Sequence, residues 1–498
     1  MLGVSKYRPI LGYFVNSPAI NHILSLTNND VDLYKCFMGK RILSVEKIGG
    51  TSMSRFKEIL ENIILNPKTG DTVYNRIFVV SAYSNVTNLL LENKKTGAPG
   101  IYSRFVVVNS CDKELNDLLE KLIGINKKFE SIGLDLEKAN NFIKERIDQT
   151  KNYLKNISEL ITSGYVDKTN IYMSAREILA SIGEAHSAFN SANIIANRGY
   201  NSILIDLSGF NDSDYLTIDQ RIEKTFSDID TTSVIPVATG YTKGSEGIMR
   251  QFDRGYTEVT FAKIATFLKA TEAIIHKEYH FCSADPGIVG EKNAIPVGHT
   301  NYDVADQLAD IWMEAVHPAV SKTLEMADID LRIKNSFDPD HPGTLISKNY
   351  KSPESRVEIV SGTDAVMIVE VHDPAMVGAV GFDRSIMNLF EKYKTSYLLK
   401  STNANSISIV IRETSDKKLL AELKETFFQV SIKPVAMVCI LGSNIARPGI
   451  LAAAASALSE NSINIECISQ SMRQVNIQFV IERENYEKAV SVLNKTLK

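Results

Sequence analysis

The feature that most narrows the fold is a strand with no polar face. Arg76-Ile-Phe-Val-Val80 is a continuous apolar run, and strands without alternation are covered on both sides, as in parallel sheets flanked by helices. Just upstream, Arg41-Ile-Leu-Ser-Val-Glu-Lys-Ile48 reads as a strand, Gly49-Gly50 as a break and Thr51-Ser52 as a helix start, with Met53, Phe56, Leu60 and Ile63 at helical spacing. Ser81 to Asn88 is a polar turn before a further helix. Leu91 to Thr169 is mostly helical, with a loop at Lys94 to Gly100, and Asn170 to Arg198 is a long amphipathic helix stopped by Gly199. Short strands follow at Ser202 to Asp206 and Val234 to Ala238. A glycine-rich loop from Gly240 to Gly255 then precedes a helix at Thr257 to Leu268 and a strand at Ala273 to Ile275. Strands alternating with helices predict a mostly parallel α/β sheet with ligands at the carboxyl ends of its strands.

The polar stretch Lys348 to Ser355, with Pro353, marks a change. Beyond it lie two units of matching order. The first has strand Ala365 to Val371, helix Gly381 to Tyr393 and strand Ser406 to Ile411; the second has strand Val435 to Leu441, helix Gly449 to Glu460 and strands Ile463 to Ile468 and Asn476 to Ile481. This is a tandem repeat of ferredoxin-like βαββαβ modules, too small for catalytic pockets of their own and suited to pairing sheets and binding a small effector. The expected division is an extension over 1–40, a catalytic domain over 41–347 and modules over 348–434 and 435–498, in keeping with a length of 498 residues.

Lys and Arg number 55 against 59 Asp and Glu, for a net charge of −4 without long one-sign blocks. That excludes a polyanion binder, so no nucleic-acid partner is expected. Five cysteines (Cys36, Cys111, Cys282, Cys439 and Cys467) lack CxxC spacing and read as free thiols of a reducing compartment. Met1 to Asp30 lacks the pattern of a signal peptide, and Gly449 to Leu458 is too short to span a bilayer. A cytoplasmic protein without a membrane partner is expected.

The sharpest constellation is Lys47-Ile48-Gly49-Gly50-Thr51-Ser52 at a strand-to-helix turn. Paired glycines let backbone N–H groups approach an anion, the helix start adds partial positive charge, and Lys47 adds a full one. The set suits charge developing on a transferred phosphoryl group; it is no Walker A loop, because the lysine precedes the glycines. An ordinary Gly-Gly turn with a surface lysine is the bland alternative. Ser81 to Thr87 offers hydroxyls for a carboxylate, or simply a capped turn. Gly183, in Ser181-Ile-Gly183-Glu184, costs a helix interior about 1 kcal/mol, which either close approach of a ligand or tight helix packing explains. Arg254 closes the glycine-rich loop and could grip a carboxylate through two N–H groups, or form a surface salt bridge. His276, His280 and Cys282 fit no structural zinc spacing, so no metal site is assigned, and Trp312 reads as core.

In this order the motifs resemble those of the aspartate kinases of the amino-acid kinase superfamily: KxGGTS at Lys47 to Ser52, Ser81-Ala-x-x-x-x-Thr87-Asn88, Ser-x-Gly-Glu at Ser181 to Glu184 and the Arg254-Gly255 loop. His317-Pro318 and Asn335 to Ile346 resemble the closing kinase segments, and the tandem repeat resembles paired ACT regulatory modules, so the resemblance spans roughly residues 41 to 498. It implies phosphorylation of the β-carboxylate of L-aspartate by ATP with Mg2+. Lys47 would then neutralise the transferring group, with Gly49, Gly50, Thr51, Ser52 and Asp285 on the nucleotide. Ser81, Thr87, Thr257 and Glu258 would contact aspartate, Glu184 its ammonium and Arg254 its α-carboxylate. Arg254-Gly-Tyr-Thr-Glu258, with bulky Tyr256 where glycine is usual, resembles the branch associated with ectoine biosynthesis. His276-Lys277 stand in place of Thr-Asp, Gly287 in place of arginine and Glu314 in place of lysine, so the nucleotide contacts depart from the pattern.

Two other readings compete. One is a kinase for glutamate, acetylglutamate or a nucleoside monophosphate, against which the paired modules and the Ser-Gly-Glu helix speak. The other is a catalytically impaired effector-binding protein, against which joint retention of Lys47, Glu184 and Arg254 speaks. For regulation, Leu398 occupies the place of the acid that meets lysine in lysine-inhibited relatives, and Asn464 and Gln470 of the second module resemble an effector strand and loop. A homodimer or higher homo-oligomer is the expected assembly.

Overall fold

Strand β1 (Ser44–Ile48) pairs in parallel with the apolar run, β2 (Arg76–Val80), on one side and with β5 (Glu272–Lys277) on the other. The computed structural model describes residues 42–66, 73–94, 96–311 and 316–497. The expectations for 1–41, Cys36 among them, and for Trp312 and Glu314 lie outside the described residues. Among the described residues the sheet has eight strands: β4 (Ile235–Thr239) and β3 (Ser202–Ile205) lie beyond β2, and β7 (Asp330–Asn335), β8 (Thr344–Ser347) and β6 (His299–Asn301) beyond β5. Every pairing is parallel except β7 with β8. Ile77, Phe78, Val79 and Val80 are buried, as is all of β4, so both faces of the central strands are covered.

The cover includes one long helix, Lys168–Asn197, which packs on β3 and β4 and beneath the helix Leu136–Ser163. Asp167 caps its start, accepting from the N–H groups of Thr169 and Asn170. Sandwiched between sheet and helix, nearly every residue from Leu179 to Ile195 is buried, polar Ser181, Glu184, His186 and Asn190 among them. The chain reverses after β1, β2 and β4 at the same end of the sheet, which brings together Gly49–Ser52, Ser81–Asn88 and the loop from Gly240 to Glu258.

The C-terminal units share a six-stranded sheet ordered β10-β11-β9-β12-β14-β13. Its strands are β9 (Ile359–His372), β10 (Leu399–Thr402), β11 (Ser406–Arg412), β12 (Gln429–Leu441), β13 (Cys467–Gln470) and β14 (Asn476–Glu482). Long β9 and β12 are antiparallel and serve both units. Val369 and Val371 join Ile386, Ile409 and Leu423 in one core; Val360 joins Val438, Ile440, Phe479 and Leu493 in the other. The pairing slips between Val435 and Met437, where one core gives way to the next. No strand follows the last helix, Tyr486–Thr496, among the described residues; the second unit's closing strand is Ile359–Thr363, paired to Met437–Leu441. The first unit is thus threaded into the second, an arrangement that a linear reading of the repeat does not anticipate. The strand expected at Ile463 begins pairing only at Cys467, because Ile463 turns into the core.

Gly183 is explained by packing. A Cβ there would lie 2.6 Å from that of Ala82 and 3.3 Å from Cγ1 of Val86, so the helix approaches the turn after β2 as closely as a glycine allows. Alanine would gain about 1 kcal/mol of helix propensity but overpack this contact, a loss of about 1–3 kcal/mol. Gly183→Ala is therefore expected to lower the urea midpoint; a raised midpoint would show that the turn moves aside without strain.

Candidate active site

Two adjoining cavities of about 350 and 460 Å3 open at the carboxyl ends of β1, β2 and β4, sharing Ser81, Lys94, Arg254 and Thr257 as walls. The first is cationic. Lys47, next to last in β1, has Nζ 3.2 Å from Oε1 of Glu258, a residue in the first turn of the helix Tyr256–Phe267. Glu258 Oε2 accepts the His317 N–H at 3.0 Å, and Lys277, at the end of β5, lines the same space. Burial opposes the Glu258 charge, but Lys47, Lys277 and the His317 N–H outweigh it and bring the carboxyl down to about 2. His317 also caps its own helix, Nδ1 accepting the Ala319 N–H at 3.2 Å, and its ring leaves no room for a side chain at Gly255.

The second cavity is lined by Gly50, Thr51, Thr87, Asn88, Glu184 and Tyr256 besides the shared walls. Gly50 is required there, since a Cβ would sit 2.7 Å from the Ala82 carbonyl oxygen. Glu184 is the buried acid of this space. Tyr256 donates to its Oε1 at 2.8 Å, with the Thr257 hydroxyl at 3.5 Å, while Oε2 is buried without a hydrogen-bond partner. Burial pushes its carboxyl up to about 7, with hydrogen bonds led by Tyr256 holding it back. Arg254 donates to the Glu92 carbonyl at 2.9 Å and to Asn88 Oδ1 at 2.7 Å. Those contacts fix the guanidinium between the cavities and leave other N–H groups of the fork for a ligand.

Of the residues singled out in the sequence, Lys47, Gly50, Thr51, Ser81, Thr87, Glu184, Arg254, Thr257 and Glu258 line these cavities. Gly49 lies beside them, its open side about 3.9 Å from Lys47 Nζ. Ser52 turns away: its N–H and hydroxyl both donate to Glu278 Oε1 at 2.9 Å, and its hydroxyl meets that of Ser336 at 3.2 Å. Asp285 is also elsewhere, exposed and capping the short helix Pro286–Val289 through the Gly287 N–H; that segment, with Ala284, packs into the second C-terminal core. Asn464 and Gln470 are exposed in the second unit. His276 Nε2 is 2.7 Å from Glu46 Oε2, and His280 Nε2 is 3.0 Å from Asp338; among the described residues no group of three His, Cys, Asp or Glu could hold a metal. Sequence reasoning missed Lys94, the His317 N–H and the hydroxyl of Tyr256. Tyr256 stood out only for its bulk.

The description "Amino acid kinase family" matches residues 43–335, and "ACT domain" matches residues 438–497. The aspartate kinase Ask_Ect of Stutzerimonas stutzeri is 44% identical over 91% of this chain and 97% of that protein. Aspartokinase 1 of Arabidopsis thaliana is 25% identical over 92% of this chain and 80% of that protein. The solved aspartate kinase of Clostridium acetobutylicum superposes with a TM-score of 0.68 at 19% identity, covering 92% of this chain and all (100%) of that one. Aspartokinase III of E. coli, solved with aspartate and ADP, gives 0.67 at 20% identity, covering 91% and 99%. The chain belongs to the aspartate kinases of the amino acid kinase family.

The Lys47–Glu258 pair has side chains only 12% and 17% exposed. Glu258→Gln would leave the Lys47 ammonium beside Lys277 without its counter-charge, and leaving a largely buried partner unsatisfied costs about 1–3 kcal/mol. A corresponding fall in unfolding free energy is expected from urea melts at pH 7. Unchanged stability would mean that solvent already screens the pair.

Proposed function

We propose that this protein transfers the γ-phosphoryl group of ATP to the β-carboxylate of L-aspartate, giving 4-phospho-L-aspartate for aspartate-derived amino-acid or ectoine biosynthesis. The observation that carries the reading is the presence, in the lining of one cavity, of an unpartnered buried carboxylate oxygen of Glu184 and the guanidinium of Arg254. An α-amino acid has the complementary pair, an ammonium for Glu184 and an α-carboxylate for the Arg254 fork. The side-chain carboxylate of such a substrate is then directed at the shared wall of Ser81 and Thr257, with Lys47 and Lys277 beyond it. A carboxylate is already a nucleophile at neutral pH, so catalysis needs alignment and charge stabilisation rather than a base. Lys47, held by Glu258, faces the charge that builds on the transferring group. Mg2+ would arrive on the nucleotide's phosphates, as is usual for an ion that keeps its own waters.

An assay of ADP release with aspartate and then glutamate as acceptor tests the assignment. Turnover with aspartate alone is expected; preference for glutamate, or no turnover with either, would point to the competing readings. Lys47→Ala should lose on the order of 10²-fold or more in kcat, the scale of deleting a preorganised donor, and near wild-type kcat would remove Lys47 from the phosphoryl site.

For regulation we propose that lysine alone is not a strong inhibitor. Leu398 offers no charge to a second ammonium group, and Asp383, the acid on the facing helix, is engaged by Lys400 at 2.7 and 2.8 Å. A buried ammonium without a partner is expensive. Titration with millimolar lysine, and separately with threonine, at sub-saturating aspartate should leave the lysine curve nearly flat; strong inhibition by lysine would mean that another acid serves its ammonium. A homodimer or higher homo-oligomer remains the proposed assembly.

A further inference from the structure

We infer that Tyr256 is a positioning residue for the amino-acid substrate, its phenol locking Glu184 so that Oε2 alone faces the substrate ammonium. This rests on reading the second cavity as the aspartate site. The Tyr256 hydroxyl donates to Glu184 Oε1 at 2.8 Å and itself receives a hydrogen bond from the Thr87 side chain. One phenol therefore links the turn after β2, the long helix and the helix Tyr256–Phe267. The ring is 2% exposed and set edge-on to Tyr241, with centroids 5.8 Å apart at 75°. Tyr241 is in turn fixed by Glu177, whose Oε2 accepts its hydroxyl at 2.7 Å. Glu177 and Glu184 are seven residues apart and share one face of the long helix, so two glutamate–tyrosine pairs brace each other and Tyr256 cannot swing aside.

The consequence for binding is specific. A free carboxylate can turn either oxygen to a ligand and is readily protonated when buried. With Oε1 held by the phenol, Oε2 is the remaining site, and it is the one that lacks a partner. Besides Tyr256, Glu184 meets the Thr257 hydroxyl and the Ala82 N–H, and Arg254 and Lys94 line the same cavity. The phenol's own titration is pushed well above its usual range by burial and by Glu184, so it stays a donor at working pH. Glu184 binds an ammonium when ionised, and burial puts its carboxyl at about 7. The kcat/KM for aspartate is therefore expected to fall on the acid side, near pH 7. Loss of the phenol donor raises that carboxyl further and moves the acid limb to higher pH.

Tyr256→Phe keeps the ring and removes the donor. At pH 7 its KM for aspartate should rise about tenfold, the scale of a hydrogen bond to a charged group. Its kcat and its KM for ATP should stay within about threefold, and the gap from wild type should shrink as pH is raised to 9. Near wild-type kcat also certifies the fold. Glu184→Gln serves as the reference variant and should raise the aspartate KM while abolishing the acid limb. If Glu184→Gln raises KM but Tyr256→Phe follows the wild-type pH profile, the positioning role is overturned and the aspartate site stands. If Glu184→Gln leaves the aspartate KM unchanged, the site assignment falls and takes the role of Tyr256 with it.

Discussion

Parallel pairing of β1 with β2 and β5, with β4 beyond β2, is the constraint on which the site depends. In a parallel sheet every carboxyl end faces the same way, so turns 200 residues apart in sequence are forced into one rim. Lys47, next to last in β1, meets Glu258 across 211 positions of chain, and the Glu184 carboxylate meets Tyr256 across 72. Neither contact needs a special device beyond the pairing of strands and the depth of the long helix. The device that is needed is small: glycine at 50 and at 183, where the turn after β2 is pressed from both sides. Side chains at those two positions would hold the turn after β2 away from the β1 turn and from the long helix.

Within that rim two glutamates are driven apart by their surroundings. Glu184 is fully buried and Glu258 partly so, and burial raises both. Glu258 is drawn down to about 2 because two ammonium groups and a backbone N–H face it. Glu184 has only neutral donors and rises to about 7. Divergent environments of this kind separate roles in an active site. Glu258 is a fixed anion that orients a lysine. On the proposed reading, Glu184 is the acid whose charge an ammonium-bearing ligand would complete.

Much of this was legible in the sequence because it depends on local residue type. The apolar run at Arg76 to Val80, the Gly-Gly turn after Lys47 and the helix around Glu184 each betray their structure within a few residues, and the resemblance supplied their order. What was not legible depends on long-range pairing. The strand Ile359–Thr363 lies some seventy residues ahead of the β12 segment it completes, so the threading of one module into the other left no local mark. Ser52 belongs to the right motif, yet its side chain is claimed by Glu278, 226 positions away. Tyr256 shows the same limit. Size is visible in a sequence, whereas the partner of a hydroxyl is not.

The departures around β5 tie the rim of the two cavities to the C-terminal sheet. Lys277 ends β5 at the first cavity, the next residue, Glu278, bonds Ser52, and Ala284 is already inside the second unit's core with Ile288 and Val289 beside it. Asp285 sits in this stretch, and its role as a cap is what turns the chain into that core. A second tie is Glu358, buried, which accepts from Thr300 of β6 at 2.6 Å and from the N–H and hydroxyl of Ser443 in the loop after β12. A buried carboxylate fully occupied by donors from two sheets resists their separation, since moving either strands the other's hydrogen bonds. Because β9 and β12 run through both C-terminal cores, a repacking in the first core acts on the strands that hold Glu358 and the 284–289 segment. The shared strands, the residues between Lys277 and Ala284, and direct contacts of Arg473 with Asp303 and of Asn476 with Gln307 join that sheet to the eight-stranded one. They are covalent and hydrogen-bonded routes between the two sheets, and they transmit a change only where the shared strands have two stable arrangements.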